Sequence, residues 1–179
     1  MISHRAAKAT QSFTNIAVTT EESRMAEHAE HKMHAPYTAL AIEMAIDFVI
    51  MYLVMYTMIA TLDHFYLNIN TFYMTLMMIA PMTIIMLLGM RSMFPYPRAN
   101  VAIGVIAALV FVASLAAMRT QAAVGNGEFL RSMIPHHSGA ILMCEQSSIT
   151  DPEIVALCAG IVKSQSAEIA QMKAILARY

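Results

Sequence analysis

Three long apolar runs, roughly Tyr37 to Leu62, Phe72 to Met90 and Ala99 to Met118, are separated by the short connections "DHFYLNIN" and "RSMFPYPR". Each run is close to the ~20 residues that a helix needs to cross ~30 Å of hydrocarbon. The pattern therefore predicts three transmembrane helices over residues 37–118, joined tightly enough to be antiparallel neighbours. Pro81 falls inside the second run, where a membrane helix tolerates it if neighbours satisfy the freed carbonyl. Residues 1–36 read as a polar tail, and the first 20 lack the apolar core of a signal peptide.

Beyond Met118 the periodicity changes. Residues 119–127 form a linker ending in a Gly-Asn-Gly breaker. From Glu128, apolar or special residues fall at Phe129, Met133, His136, His137, Ala140 and Met143, the three/four spacing of a helix. "SSITDPE" interrupts this pattern, with Asp151 placed as an N-cap, Pro152 at the first helical position and Glu153 in the first turn. A second helix follows to about Ala177, its core-facing register being Ile154, Leu157, Ile161, Gln165, Glu168, Met172 and Ile175. The expected fold is all-α, with three transmembrane helices followed by a soluble two-helix hairpin over residues 128–179.

Composition sharpens this picture. The 179 residues are 58% apolar and 13% charged, which is too greasy for an ordinary soluble domain of this size. Net charge is -1 and there is no basic block, so nothing marks a nucleic-acid partner. Arg24, Lys32, Arg91 and Arg98 would share one side of a bilayer against Arg119 and Arg131 on the other. The positive-inside rule then puts the N-terminus in the cytoplasm of a bacterium and the hairpin in the periplasm, anchored in the inner membrane.

Eighteen methionines against no tryptophan call for an account, since methionine is either pliable filler or a soft thioether ligand. In the hairpin, Met133, His136 or His137, and Met143 face Gln165, Glu168 and Met172. Burying such groups unpaired costs a few kcal/mol each, about 1–3 for an unsatisfied donor or acceptor. Two arrangements satisfy them. A histidine and Glu168 form a buried hydrogen-bonded pair with methionine filler around it, or the histidines and methionines hold Cu(I) or Ag(I) while Gln165 and Glu168 orient the imidazoles. The chain carries no nucleophile with a base, phosphate loop, HExxH or EF-hand pattern, so no enzyme activity is expected.

"FLRSMIPHHSGAILMCEQ" followed by "DPEIVALCAGIVKSQSAEIAQMKAIL" resembles the domain-of-unknown-function 305 family, over about Glu128 to Leu176. The apolar segments resemble its membrane-anchored three-span subgroup. The resemblance implies a ferritin-like helical half-bundle and, through CopM-like periplasmic members, copper binding and copper resistance. The family motif falls on Met133, His136, His137, Met143, Gln165, Glu168 and Met172. Cys144 stands where alanine is common, either as an added thiolate ligand or as apolar core.

Other features stay secondary. Helix axes ~8–10 Å apart against the ~7 Å limit for bridged Cα atoms argue against a Cys144–Cys158 disulfide. So small a hairpin needs help to bury its stripe, which predicts a homo-oligomer or docking onto the membrane helices. His28, His31 and His34 in the tail are accessory metal donors or simply a solvated segment. Met51, Met55 and Met58, with Met74, Met78, Met82, Met86 and Met90, form stripes for which ordinary packing is the simpler account. Glu43 and Asp47 are expected to pair with Arg91 and Arg98, and Asp63 and His64 lie where the hairpin would dock. The functional expectation is a membrane-anchored copper or silver binder for periplasmic sequestration or delivery. The rival is an accessory or assembly subunit of a larger membrane complex.

Overall fold

A computed structural model of the chain describes residues 36–179. Helix α1 (residues 36–54) tightens into a 3-10 turn at Met55–Met58. It is followed by α2 (Ile69–Gly89), α3 (Pro97–Thr120), α4 (Asn126–Gln146) and α5 (Pro152–Leu176), with no strand among the described residues. The segments Pro36–Met58, Ile69–Gly89 and Pro97–Thr120 are each long and apolar enough to cross a membrane. Much of their surface is exposed aliphatic side chain, such as Ile85, Val101 and Leu109, which is compatible with contact to lipid.

The α2–α3 pair is built on small and hydroxylated residues. α2 buries Thr71, Thr75, Ile79, Ala80, Thr83 and Leu87, and α3, which packs along it, buries Ala107 and Ser114. Small side chains let membrane helices approach closely, where neither lipid nor water supplies a strong drive to associate. The Thr75 and Thr83 hydroxyls donate to the carbonyls of Thr71 and Ile79 within their own helix, at 2.8 and 2.9 Å, so they are satisfied without water.

Both ends of the bundle are polar and ordered. At one end, Tyr37 Oη accepts from the Tyr96 amide at 3.0 Å and donates to Asn100 Oδ1 at 2.9 Å. At the other, Asn68 caps α2 by accepting from the Thr71 amide at 2.9 Å, and its own Nδ2 donates to the hydroxyl of buried Tyr56 at 3.0 Å. α3 stops at Gln121 and Ala123, both left-handed at φ 52° and 58°, a conformation costing an L-residue roughly 1–2 kcal/mol. Tyr73 Oη donates to the carbonyl of intervening Ala122 at 2.9 Å, which helps to hold the reversal.

α4 and α5 pack together around Leu130, Ile134, Ile141, Ile169 and Met172. Asp151 caps α5 as expected, accepting from the amides of Glu153 and Ile154 at 2.8 and 3.2 Å. The expected core register of α5 is only partly right. Ile154 and Leu157 are exposed; Met172 is buried and Ile175 packs against the core as expected, while Ile169, outside that register, joins the core, flanked by Val162 and Leu176.

The expectation of two separate cysteines is overturned, because Cys144 and Cys158 form a disulfide with Cα atoms 5.3 Å apart. The spacing argument confused axes with backbones. Each Cα lies ~2.3 Å off its axis toward the partner, so axes ~8–10 Å apart bring facing Cα atoms to ~3.4–5.4 Å. Cys144 is therefore not a thiolate ligand in this structure.

The hairpin packs against the ends of the apolar helices and the segment between the first two of them. Fully buried Ser138 accepts the Ala60 amide at 2.7 Å and lies 2.8 Å from His64 Nδ1. Glu128 accepts the Ile69 amide at 3.2 Å, and Lys173 pairs with Asp63. At Gly139 a Cβ would lie 3.4 Å from the Met58 carbonyl, so α4 crosses the 3-10 turn in close contact. The anticipated pairing of Glu43 and Asp47 with Arg91 or Arg98 is absent among the described residues.

Candidate functional site

Consecutive residues of a helix point ~100° apart, so His136 and His137 cannot face the same neighbour. α4 separates them. Leu130, Ile134, His137 and Ile141 form its buried stripe, whereas Met133, His136, Ala140 and Met143 line a cleft shared with the ends of the apolar helices.

His137 is buried at 9% exposure and engaged at both nitrogens. Nδ1 is 2.8 Å from the Met133 carbonyl, and Nε2 is 2.8 Å from Glu168 Oε2 on α5. Both nitrogens of His137 are thus engaged in this arrangement, which is the hydrogen-bonded pairing with Glu168 of the two alternatives. The pair ties α4 to α5. Its carboxylate is half-exposed, which limits its contribution to about 1 kcal/mol after solvent screening. Gln165 lies half-buried one turn earlier on α5. Met172 is in the apolar core between the hairpin helices, away from the cleft-facing side of α4.

The cleft has a volume of about 510 Å³. On the hairpin side it is lined by Met133, His136 and Met143, and on the side of the apolar helices by Met55, Met58, Met74 and Met118. Six of the 18 methionines of the chain therefore converge on one opening. His136 is exposed, and among the described residues its ring meets that of His137 edge-on and makes no hydrogen bond. The lining contains no charged side chain. Asn70 also borders it; its Nδ2 donates to Gln121, while its buried Oδ1 has no partner among the described residues.

Among the described residues, no three His, Cys, Asp or Glu side chains gather as a conventional metal cluster. What the cleft offers instead is one imidazole and several thioethers, a donor set suited to soft univalent d10 ions and poorly suited to hard divalent ones. Accessory donors His28, His31 and His34 lie outside the described residues.

Beside the cleft, His64 is held below its ordinary value first by loss of solvent and then by the Lys173 ammonium, against an opposing pull from Asp63. Lys173 likewise holds Asp63 below the usual carboxylate range, through its hydrogen bond and then its charge. The neutral imidazole suits its contact. Ser138 Oγ already accepts from Ala60, so its proton is free to be donated to His64 Nδ1.

The sequence reading did not single out Ser138 as a joint, nor Met118 as a cleft residue. Both were legible in part, since Ser138 and Gly139 break an otherwise bulky helix and Met118 ends the third apolar run.

The model of a domain of unknown function family, DUF305, matches residues 106–176. A protein of Acanthamoeba polyphaga mimivirus, uncharacterized protein L153, is 35% identical over 112 residues, covering 62% of this chain and 72% of that protein. The chain belongs to the DUF305 family. The DUF305 match begins within α3 and runs through the hairpin, so it takes in Met118 and every hairpin residue of the cleft. No solved structure matches the chain.

Proposed function

We propose that this DUF305 protein is a membrane-anchored binder of Cu(I) or Ag(I), acting in sequestration or delivery of the metal on the non-cytoplasmic side, the periplasm in a bacterium. The observation that carries the reading is His136, with an uncommitted imidazole, on the same face of α4 as the thioethers of Met133 and Met143, at a cleft without charge. The likeness to CopM-like relatives and to a three-span subgroup supports it. The disulfide agrees with an oxidising compartment for the hairpin, as does the arginine bias toward the 90–98 connection. The protein is read as a carrier, without a catalytic step.

The test is an anaerobic Cu(I) titration of the purified full-length chain against a competing chelator. Stoichiometric binding that weakens in His136→Ala and Met143→Leu, but survives His137→Gln, is expected. Absence of binding, or binding indifferent to His136→Ala, would overturn the proposal. The rival reading, an accessory subunit of a membrane complex, draws on exposed Ile154, Val155 and Leu157 on α5, an apolar face open to a partner chain or a second copy.

A further inference from the structure

Resting on that reading, we infer that the soft-metal site is shared, with the membrane helices contributing thioethers of Met58, Met74 and Met118 opposite His136 and Met143 of the hairpin. The metal would then join the two halves of the molecule.

The placement follows from the topology. Met58 closes the first apolar segment, Met74 lies five residues into α2, and Met118 lies two residues before the end of α3. At 1.5 Å per residue these are depths of roughly 8 Å and 3 Å from the same end of the bundle. All three line the cleft that also admits His136 and Met143. Packing needs do not require this choice. Leucine or isoleucine would fill an interhelical gap as well, and the buried positions of α2 are threonine, alanine, isoleucine and leucine.

A second observation points to an occupant. Asn70 Oδ1 is the one buried side-chain polar atom without a partner among the described residues, and Asn70 borders this cleft. A buried acceptor left empty costs about 1–3 kcal/mol, and a cation or its retained water would satisfy it. The uncharged lining favours a univalent ion, whose burial requires less compensation than that of a divalent one. Thioethers carry no proton at any ordinary pH, so their part of the site would not need deprotonation before binding.

The docking contacts supply the remaining requirement, a fixed distance between the halves. Ser138 and Gly139 adjoin His136 in sequence and touch the backbone around Met58 and Ala60. The hairpin side of the site is thus registered against the membrane side by contacts that do not themselves use the ligands.

The experiment is a titration of full-length protein in detergent micelles with Ag(I), chosen because it is redox-inert. Wild type is compared with a Met58→Leu, Met74→Leu, Met118→Leu variant and with His136→Ala. Helicity and absence of free thiols establish that each variant is folded. Ag(I) affinity should fall at least about 10-fold in both variants. Ag(I) should also slow amide exchange at Ala60 in wild type, and not in the triple variant, because a ligand that bridges the halves stabilises docking. If the triple variant binds like wild type while His136→Ala does not, the shared site is overturned and the hairpin binder stands. If wild type does not bind Ag(I), both fail.

Discussion

Ser138→Ala tests the joint between the hairpin and the apolar helices with almost no change in packing. The serine is fully buried, and its Oγ serves the Ala60 amide at 2.7 Å and His64 Nδ1 at 2.8 Å. Alanine removes one oxygen and leaves a void smaller than a water molecule. Two hydrogen bonds at a net ~0.5–1.5 kcal/mol each are lost, and the Ala60 amide is left half-buried without an acceptor, so the docked state should lose about 2–3 kcal/mol. At 1.4 kcal/mol per factor of ten this is roughly a 30- to 150-fold shift toward the undocked arrangement. Hydrogen exchange read by mass spectrometry over residues 59–68 measures it, because exchange at Ala60 requires that contact to open. Exchange should accelerate by about that factor, with the hairpin's disulfide intact. Ser147→Ala, at the exposed end of α4, is the control and should change nothing. Exchange at Ala60 within about twofold of wild type would refute the joint, since a docked amide without its acceptor cannot be costless.

Reducing the disulfide, or replacing both cysteines with serine, should lower the hairpin's stability by about 3 kcal/mol, as expected for a loop of this length; thermal melting followed by circular dichroism reads it. Docking should weaken on acidification: His64 has its folded pKa below the ordinary 6.5, so its contribution is complete above that value and is lost as pH falls through the folded pKa. Asp63, held below 3.8, adds a loss in the same direction at lower pH, and exchange at Ala60 between pH 7 and 5 should lose much of its slope in His64→Gln. Ile134→Ala, at a site with no exposure, should cost about 2–5 kcal/mol in chemical denaturation, and a cost below ~1 kcal/mol would mean that α4 and α5 are not packed as described. Asp151→Ala removes an acceptor for two amides and should cost about 0.5–2 kcal/mol in the same assay.

Features that depend on local chemistry were readable in the sequence. The three apolar segments follow from length and hydropathy, and the start of α5 follows from Asp-Pro-Glu, where a carboxylate acceptor, a fixed φ and first-turn charge coincide. Features that depend on how elements cross were not. The stripe Met133, His136, His137, Ala140 and Met143 spans ~120° of helix surface, ~100° of it between the two histidines, and periodicity alone cannot say that it divides between two partners. Only the position of Glu168 on one side and of Met58 and Ala60 on the other resolves His137 from His136. The disulfide was missed through the distinction between helix axis and Cα, a geometric slip at two positions that close packing brings to 5.3 Å.

The division of labour on α4 also bears on which metal the protein would discriminate against. A site made from His137, Glu168 and a second imidazole would present nitrogen and carboxylate donors and suit Zn(II). The structure dismantles that set by closing His137 onto Glu168, 2.8 Å away, and by turning His136 toward methionines. What remains is one nitrogen among thioethers, with no charged side chain in the lining to offset a divalent ion. Zn(II) gains little from thioether sulfur and would carry an uncompensated second charge into an apolar cleft, whereas Cu(I) and Ag(I) gain from polarizable sulfur and carry one charge. Discrimination of this kind depends on Glu168 holding His137. Glu168→Gln keeps the shape but weakens the grip on Nε2, freeing a second imidazole beside the first. Zn(II) affinity should therefore rise in Glu168→Gln while Ag(I) affinity stays within a fewfold of wild type, measured by competition titration of the two variants side by side. A fall in Ag(I) affinity as large as that caused by His136→Ala would instead place Glu168 and His137 within the soft-metal site.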